Sequence, residues 1–123
     1  MPDFSEYLMC GKRGHLIGIG GVSMSPLAEV LSDAGLIISG SDITESERTS
    51  HLREKGIKIS IGHDAANITN DIDFVVRTAA AHDENPEVVR AREMGVPVFE
   101  RTQAWGAIMK GYKNALCISG THG

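Results

Sequence analysis

The sequence predicts an α/β domain: a Rossmann-like, doubly wound parallel sheet in a three-layer αβα arrangement, built as a single domain. Three observations carry that reading. Short apolar runs rich in β-branched residues recur along the chain and show little polar alternation, the pattern of strands buried on both faces. Segments with helix start and stop signals separate them. A glycine-rich turn joins the first such run to the first helical segment.

The runs are Leu16–Ile19, Leu36–Ser39, Ile57–Ile61, Phe74–Val76, Val96–Phe99 and Ala115–Ile118. Between the first two, Leu27, Val30, Leu31 and Ala34 fall at the spacing of one apolar helix face. Ser25-Pro26 reads as its N-cap and first-turn proline, and Gly35 as its stop. Glu45–Lys55 is polar apart from Leu52 and ends before Gly56, which predicts an exposed helix. Glu84–Met94 opens with Asn85-Pro86 and closes at Gly95; its apolar positions Val88, Val89 and Ala91 are sparse, so it reads as a surface helix. Thr102–Lys110 carries Ala104, Trp105, Ile108 and Met109, with Thr102 as cap and Gly111 at its end. Strands and helices alternating at this spacing make βαβ units. Residues 1–14 form a lead-in, read as a short helix or a flexible segment, and residues 15–119 form the domain.

Composition narrows the function classes. The chain has 123 residues and a formal net charge of −4, which argues against a broad nucleic-acid surface. No run approaches the roughly 18 apolar residues that a membrane helix needs, and Asp3, Glu6, Lys12 and Arg13 leave no room for a secretory signal. Two cysteines, Cys10 and Cys117, make no disulfide framework; Cys117 reads as a small buried hydrophobe, and a reducing cytoplasm is the expected compartment. The five histidines show no i,i+4 pair and no cysteine at zinc spacing, so no metal site is expected from this chain alone.

The chemistry concentrates in Gly18-Ile19-Gly20-Gly21-Val22-Ser23-Met24. Gly18-x-Gly20-x-x-Ser23 is the dinucleotide fingerprint with serine in place of its last glycine. Gly18 suits a tight turn, and Gly20 lets backbone approach a diphosphate. The free N–H groups of the helix start then face the anion. Asp42 follows 22 residues after Gly20, where an acid bonds ribose hydroxyls in such folds; it reads equally as a turn or helix-start acid. Two ligands suit the pattern: NAD(H), as in a dehydrogenase or redox-sensor domain, or a UDP-sugar.

Gly18-Ile19-Gly20-Gly21-Val22-Ser23-Met24-Ser25 and Ala28-Glu29-Val30-Leu31 resemble the first loop and helix of the Mur ligases. Further strings keep the same order: Ser39-Gly40-Ser41-Asp42, Ile61-Gly62-His63, Asn67-Ile68, Asn85-Pro86-Glu87-Val88-Val89, Ala91-Arg92-Glu93, Val96-Pro97-Val98 and Gly120-Thr121-His122-Gly123. The resemblance runs from about Leu16 to Gly123 and is nearest to the alanine-adding branch of the family, with the tripeptide-adding branch as the alternative. It implies a three-domain ligase whose first domain binds UDP-N-acetylmuramate, whose second binds ATP and whose third binds the amino acid. The lactyl carboxylate would become an acyl phosphate, and the amine of L-alanine would attack it, in cytoplasmic peptidoglycan synthesis.

The resemblance also implies roles. The loop from Gly18 through Gly20, Gly21 and Val22 to Ser23 and Met24 would hold the UDP diphosphate, and Asp42 the ribose or uracil side. His63 is either a nucleoside contact or an ordinary surface histidine, and Thr78-Ala79 would lie near the diphosphate and sugar. Ser23, Pro26, Arg77 and Ala80 depart from the family pattern; Arg77 reads as a cation facing the phosphates or as a solvated side chain. Gly120, Thr121, His122 and Gly123 resemble the start of the family's ATP loop, whose Lys and Ser/Thr for phosphate and Mg²⁺ are not in the sequence. The expectation is therefore a domain that binds UDP-sugar without itself catalysing ligation or binding ATP productively.

Overall fold

A computed structural model describes residues 4–8, 11–78 and 81–111. Among the described residues, five parallel strands form one sheet: β1 (Arg13–Ile17), β2 (Ile37–Asp42), β3 (Lys58–Ile61), β4 (Phe74–Arg77) and β5 (Val98–Glu100). Their order is β3-β2-β1-β4-β5, so the chain winds outward from β1 in one direction and then in the other. That is the doubly wound topology, with its switch point between β1 and β4. Four helices connect or follow the strands: α1 (Met24–Asp33), α2 (Glu47–Glu54), α3 (Pro86–Glu93) and α4 (Arg101–Gly111). None of the described helices is long and apolar enough to cross a membrane.

Alternation along the strands sorts side chains into two cores. Leu16 and Val76 point to one face and pack with Leu27, Leu31, Leu52, Phe99 and Ala104. Their neighbours Ile17 and Val75 point to the other, with Ile68, Val88 and Ala91. The larger core also holds Phe4, from a 3-10 turn over Phe4–Tyr7, to which sequence reading could give no definite element. Its ring meets Phe74 and Phe99 edge-to-face, at centroid distances of 5.0 and 5.1 Å.

The elements follow the sequence signals, with corrections at their ends. β1 starts at Arg13, inside the expected lead-in, and Gly18 and Ile19 leave the strand because both amides turn to the Ser41 carbonyl (2.8 and 3.0 Å). The N-cap of α1 is Ser23, not Ser25. Pro26 is tolerated in the first turn because the N–H it lacks would have had no helical partner. The buried face of α1 comprises Met24, Leu27, Ala28 and Leu31, and Val30 is turned outward. Ser46 and Thr49 close a capping box on α2, and Gly35, Gly56 and Gly95 end the first three helices at positive φ. α3 is capped by Asn85 as expected and is a surface helix, with Pro86, Val89, Arg90, Arg92 and Glu93 exposed, but one face buries Glu87, Val88 and Ala91. Thr102 does not cap α4, because β5 runs directly into that helix at Arg101. The expected sixth strand Ala115–Ile118, both cysteines, Ala79, Ala80 and Gly120–Gly123 lie outside the described residues.

Candidate functional site

The C-terminal ends of β1, β2, β3 and β4 carry the sequence-predicted residues to one edge of the sheet, where open α/β folds bind ligands. Ser41 and Asp42, at the end of β2, hold the edge together. The Ser41 carbonyl accepts the amides of Gly18 and Ile19, and the Asp42 carbonyl accepts that of Gly62 at 2.7 Å. The hydroxyl of Ser41 lies 3.0 Å from His63 Nδ1. One dipeptide therefore fixes both the glycine loop and the turn after β3.

Within the loop, Gly18 sits at φ +80°, which excludes side-chain-bearing residues without strain. A Cβ there would lie 3.0 Å from Thr78 Cγ2, so Thr78 packs directly on the loop. Gly20 is hemmed in by protein atoms. A Cβ on Gly20 would meet Asp42 Oδ2 at 2.7 Å and Thr49 Cγ2 at 2.9 Å, so the crowding comes from β2 and α2. Its amide is engaged too, donating to Asp42 Oδ2 at 2.7 Å. The Gly21 amide closes the turn onto the Gly18 carbonyl at 3.0 Å.

The amides of Val22, Ser23 and Met24 have no backbone acceptor among the described residues. They are the orphan donors at the start of α1 and face an anion-compatible end of the helix dipole. Val22 is exposed, whereas the Met24 side chain is buried in the larger core, so Met24 can offer a ligand only its backbone. Trp105 of α4 donates to the Ser23 carbonyl at 3.4 Å and braces the same turn.

Asp42 is oriented by two amides, Gly20 on Oδ2 and Ile43 on Oδ1, both at 2.7 Å. Each oxygen keeps a further lone pair, so the carboxylate can still accept ribose hydroxyls. Arg77 turns to Asp83 and Glu100 on the β4–β5 side, so acidic partners already balance its charge. Near it, Arg77, Thr78, Ala81, His82 and Arg101 line a cleft of about 390 Å³.

A buried polar cluster beneath this edge escaped sequence reading. Glu87, fully buried in the first turn of α3, accepts from His15 Nε2 (2.6 Å) and Ser41 Oγ (2.7 Å) on one oxygen. Its other oxygen accepts from Asn67 Nδ2 (2.8 Å) and the Asp64 amide (3.1 Å). Burial pushes the carboxyl pKa up, but the hydrogen bond and charge of His15, with the bonds of Asn67 and Ser41, outweigh it and hold the pKa at about 2. The available sequence signals were the histidine in the middle of a strand and the acid directly after Asn-Pro.

Comparison with known proteins places this architecture. The profile of the Mur ligase family, catalytic domain, matches residues 13–113. The UDP-N-acetylmuramate–L-alanine ligases of Clostridium kluyveri and Clostridium novyi are 49% and 51% identical over 112 residues, 91% of this chain and 24% of each relative. The crystal structure of UDP-N-acetylmuramate-alanine ligase MurC from Thermotoga maritima superimposes with a TM-score of 0.78 at 40% identity, covering 82% of this chain and 23% of that one. A UDP-N-acetylmuramate:L-alanyl-gamma-D-glutamyl-meso-diaminopimelate ligase from Neisseria meningitides follows, with a TM-score of 0.69 at 28% identity, 87% of this chain and 32% of that one. Shikimate dehydrogenase from Aquifex aeolicus, at 16% identity and a TM-score of 0.55, shares the fold alone. The chain spans about a quarter of the length of the curated relatives it matches. With the fold, the loop and the relatives in agreement, the chain belongs to the Mur ligase family.

Proposed function

We propose that the chain is the domain that binds UDP-N-acetylmuramate in an ATP-dependent ligase that joins L-alanine to that nucleotide sugar in the cytoplasm. One observation carries the reading: the orphan amides of Val22, Ser23 and Met24, the oriented Asp42 carboxylate, Thr78 and His63 all belong to one sheet edge, organised by Ser41 and Asp42. The amides suit a diphosphate, Asp42 a ribose and His63 a base. The identity to alanine-adding relatives supports the choice of sugar nucleotide.

In that role the chain binds and orients. Backbone donors at the start of α1 neutralise the diphosphate without a lysine, and Asp42 sets the ribose. ATP and Mg²⁺ would supply activation of the lactyl carboxylate. The residues that resemble an ATP loop, Gly120, Thr121, His122 and Gly123, lie outside the described residues.

Isothermal calorimetry with UDP-N-acetylmuramate, UDP and NADH tests the reading. Binding of both UDP compounds, with no heat from NADH, is expected. Binding of NADH with no response to either UDP compound would replace it with a dinucleotide-binding domain.

A further inference from the structure

We propose that Glu87 is a positioning residue for the base end of the ligand: through Ser41 it holds His63 with a proton on Nδ1, leaving Nε2 as an acceptor suited to a base with a ring N–H, as in uracil. The proposal rests on the UDP-sugar reading above.

Proton accounting carries it. Ionised Glu87 can only accept, so the Ser41 hydroxyl spends its one proton on Oε1 at 2.7 Å. The Ser41 oxygen can then only accept from His63 Nδ1, 3.0 Å away. Glu87 Oε2 is farther from the same nitrogen, at 3.4 Å, and already accepts from Asn67 and the Asp64 amide, so the Ser41 oxygen is the acceptor that fixes the proton. The carboxylate cannot rotate out of this role, because His15 and Asn67 occupy its remaining directions. His63 Nε2 makes no hydrogen bond to the described residues, and the side chain is about one-fifth exposed at the ligand edge. In the neutral ring that nitrogen is a lone pair. Uracil N3 carries a hydrogen and pairs with it. Cytosine N3 carries a lone pair and opposes it, and an unmatched polar pair of this kind discriminates strongly. The sequence cannot announce this arrangement, because Glu87 lies 46 residues from Ser41 and acts through it.

The test uses the 123-residue chain labelled with ¹⁵N-histidine, with His63 assigned by loss of its signals in His63→Gln. Long-range ¹H–¹⁵N correlation of the ligand-free protein should show the Nδ1–H tautomer. Calorimetry should show UDP bound at least tenfold more tightly than CDP. Glu87→Gln and Ser41→Ala should both move His63 toward the Nε2–H tautomer and bring the UDP/CDP ratio to within about threefold of one. Ser41→Ala keeps the other partners of Glu87 and so remains informative if Glu87→Gln fails to fold. An Nε2–H tautomer in the unmodified chain, or an unchanged UDP/CDP ratio in Ser41→Ala, overturns the proposal. If the unmodified chain keeps the Nδ1–H tautomer yet binds neither nucleotide, the UDP-sugar reading falls and the base-selecting role falls with it.

Discussion

The Asp42 carboxylate receives the Gly20 amide at 2.7 Å, linking the end of β2 to the loop after β1. The acid proposed to meet a ribose is thus also a strut of the glycine loop. Asp42→Asn keeps the size but supplies only one carbonyl oxygen for two amides. Weakening of UDP binding by about 1.5–3 kcal/mol, the worth of hydrogen bonds to a charged group, is expected in calorimetry. Retention of full affinity would remove Asp42 from the site.

Gly20→Val places a branched side chain against Asp42 and Thr49. It should both abolish measurable UDP binding and lower the thermal midpoint, since the clash lies inside the domain. Overpacking of this kind costs about 1–3 kcal/mol. Paired calorimetry and thermal denaturation check both effects.

Glu87→Ala leaves the buried His15 Nε2 without its acceptor and removes one of the two acceptors of Asn67. Loss of about 3–5 kcal/mol is expected in urea denaturation, as for a buried ion pair broken on one side. A loss below 1 kcal/mol would show that water replaces the carboxylate.

The same carboxyl sets a pH dependence. Its pKa falls from 4.5 to about 2 on folding, so below pH 4.5 the unfolded chain takes up the proton first. The stability that Glu87 contributes is complete above that value and drains away as pH falls toward 2. Urea midpoints measured across this window should decline more steeply in the unmodified chain than in Glu87→Gln.

Phe4→Ala should cost about 3–5 kcal/mol, because the ring is buried between Phe74 and Phe99. Urea denaturation of this variant tests whether the first described turn is part of the core.

Fold class and loop were legible because their signals are local. Strand, glycine turn and amphipathic helix follow one another within about twenty residues, and Gly18 states its backbone conformation by its identity. Asn85 announced α3 by the same local logic. Glu87 was illegible because a charged residue in a sparse apolar pattern resembles a solvated face, and its partners come from β1, β2 and the turn after β3. Phe4 was missed for a similar reason: Phe4, Tyr7 and Leu8 make only one apolar turn, too short to define an element, and the hole the ring fills is built by β4 and β5. The crowding around Gly20 was illegible too, because the atoms that crowd it belong to elements distant in sequence.

The hydroxyl of Ser41 and the ring of His15 also bear on how the strands find one another. Side chains alternate along a strand, so sliding β2 by one residue would turn Ser41 away and present Gly40 or Asp42 to Glu87. Such a slip would strand a buried carboxylate, and the polar cluster therefore acts as an alignment key that admits only one pairing of β1 with β2.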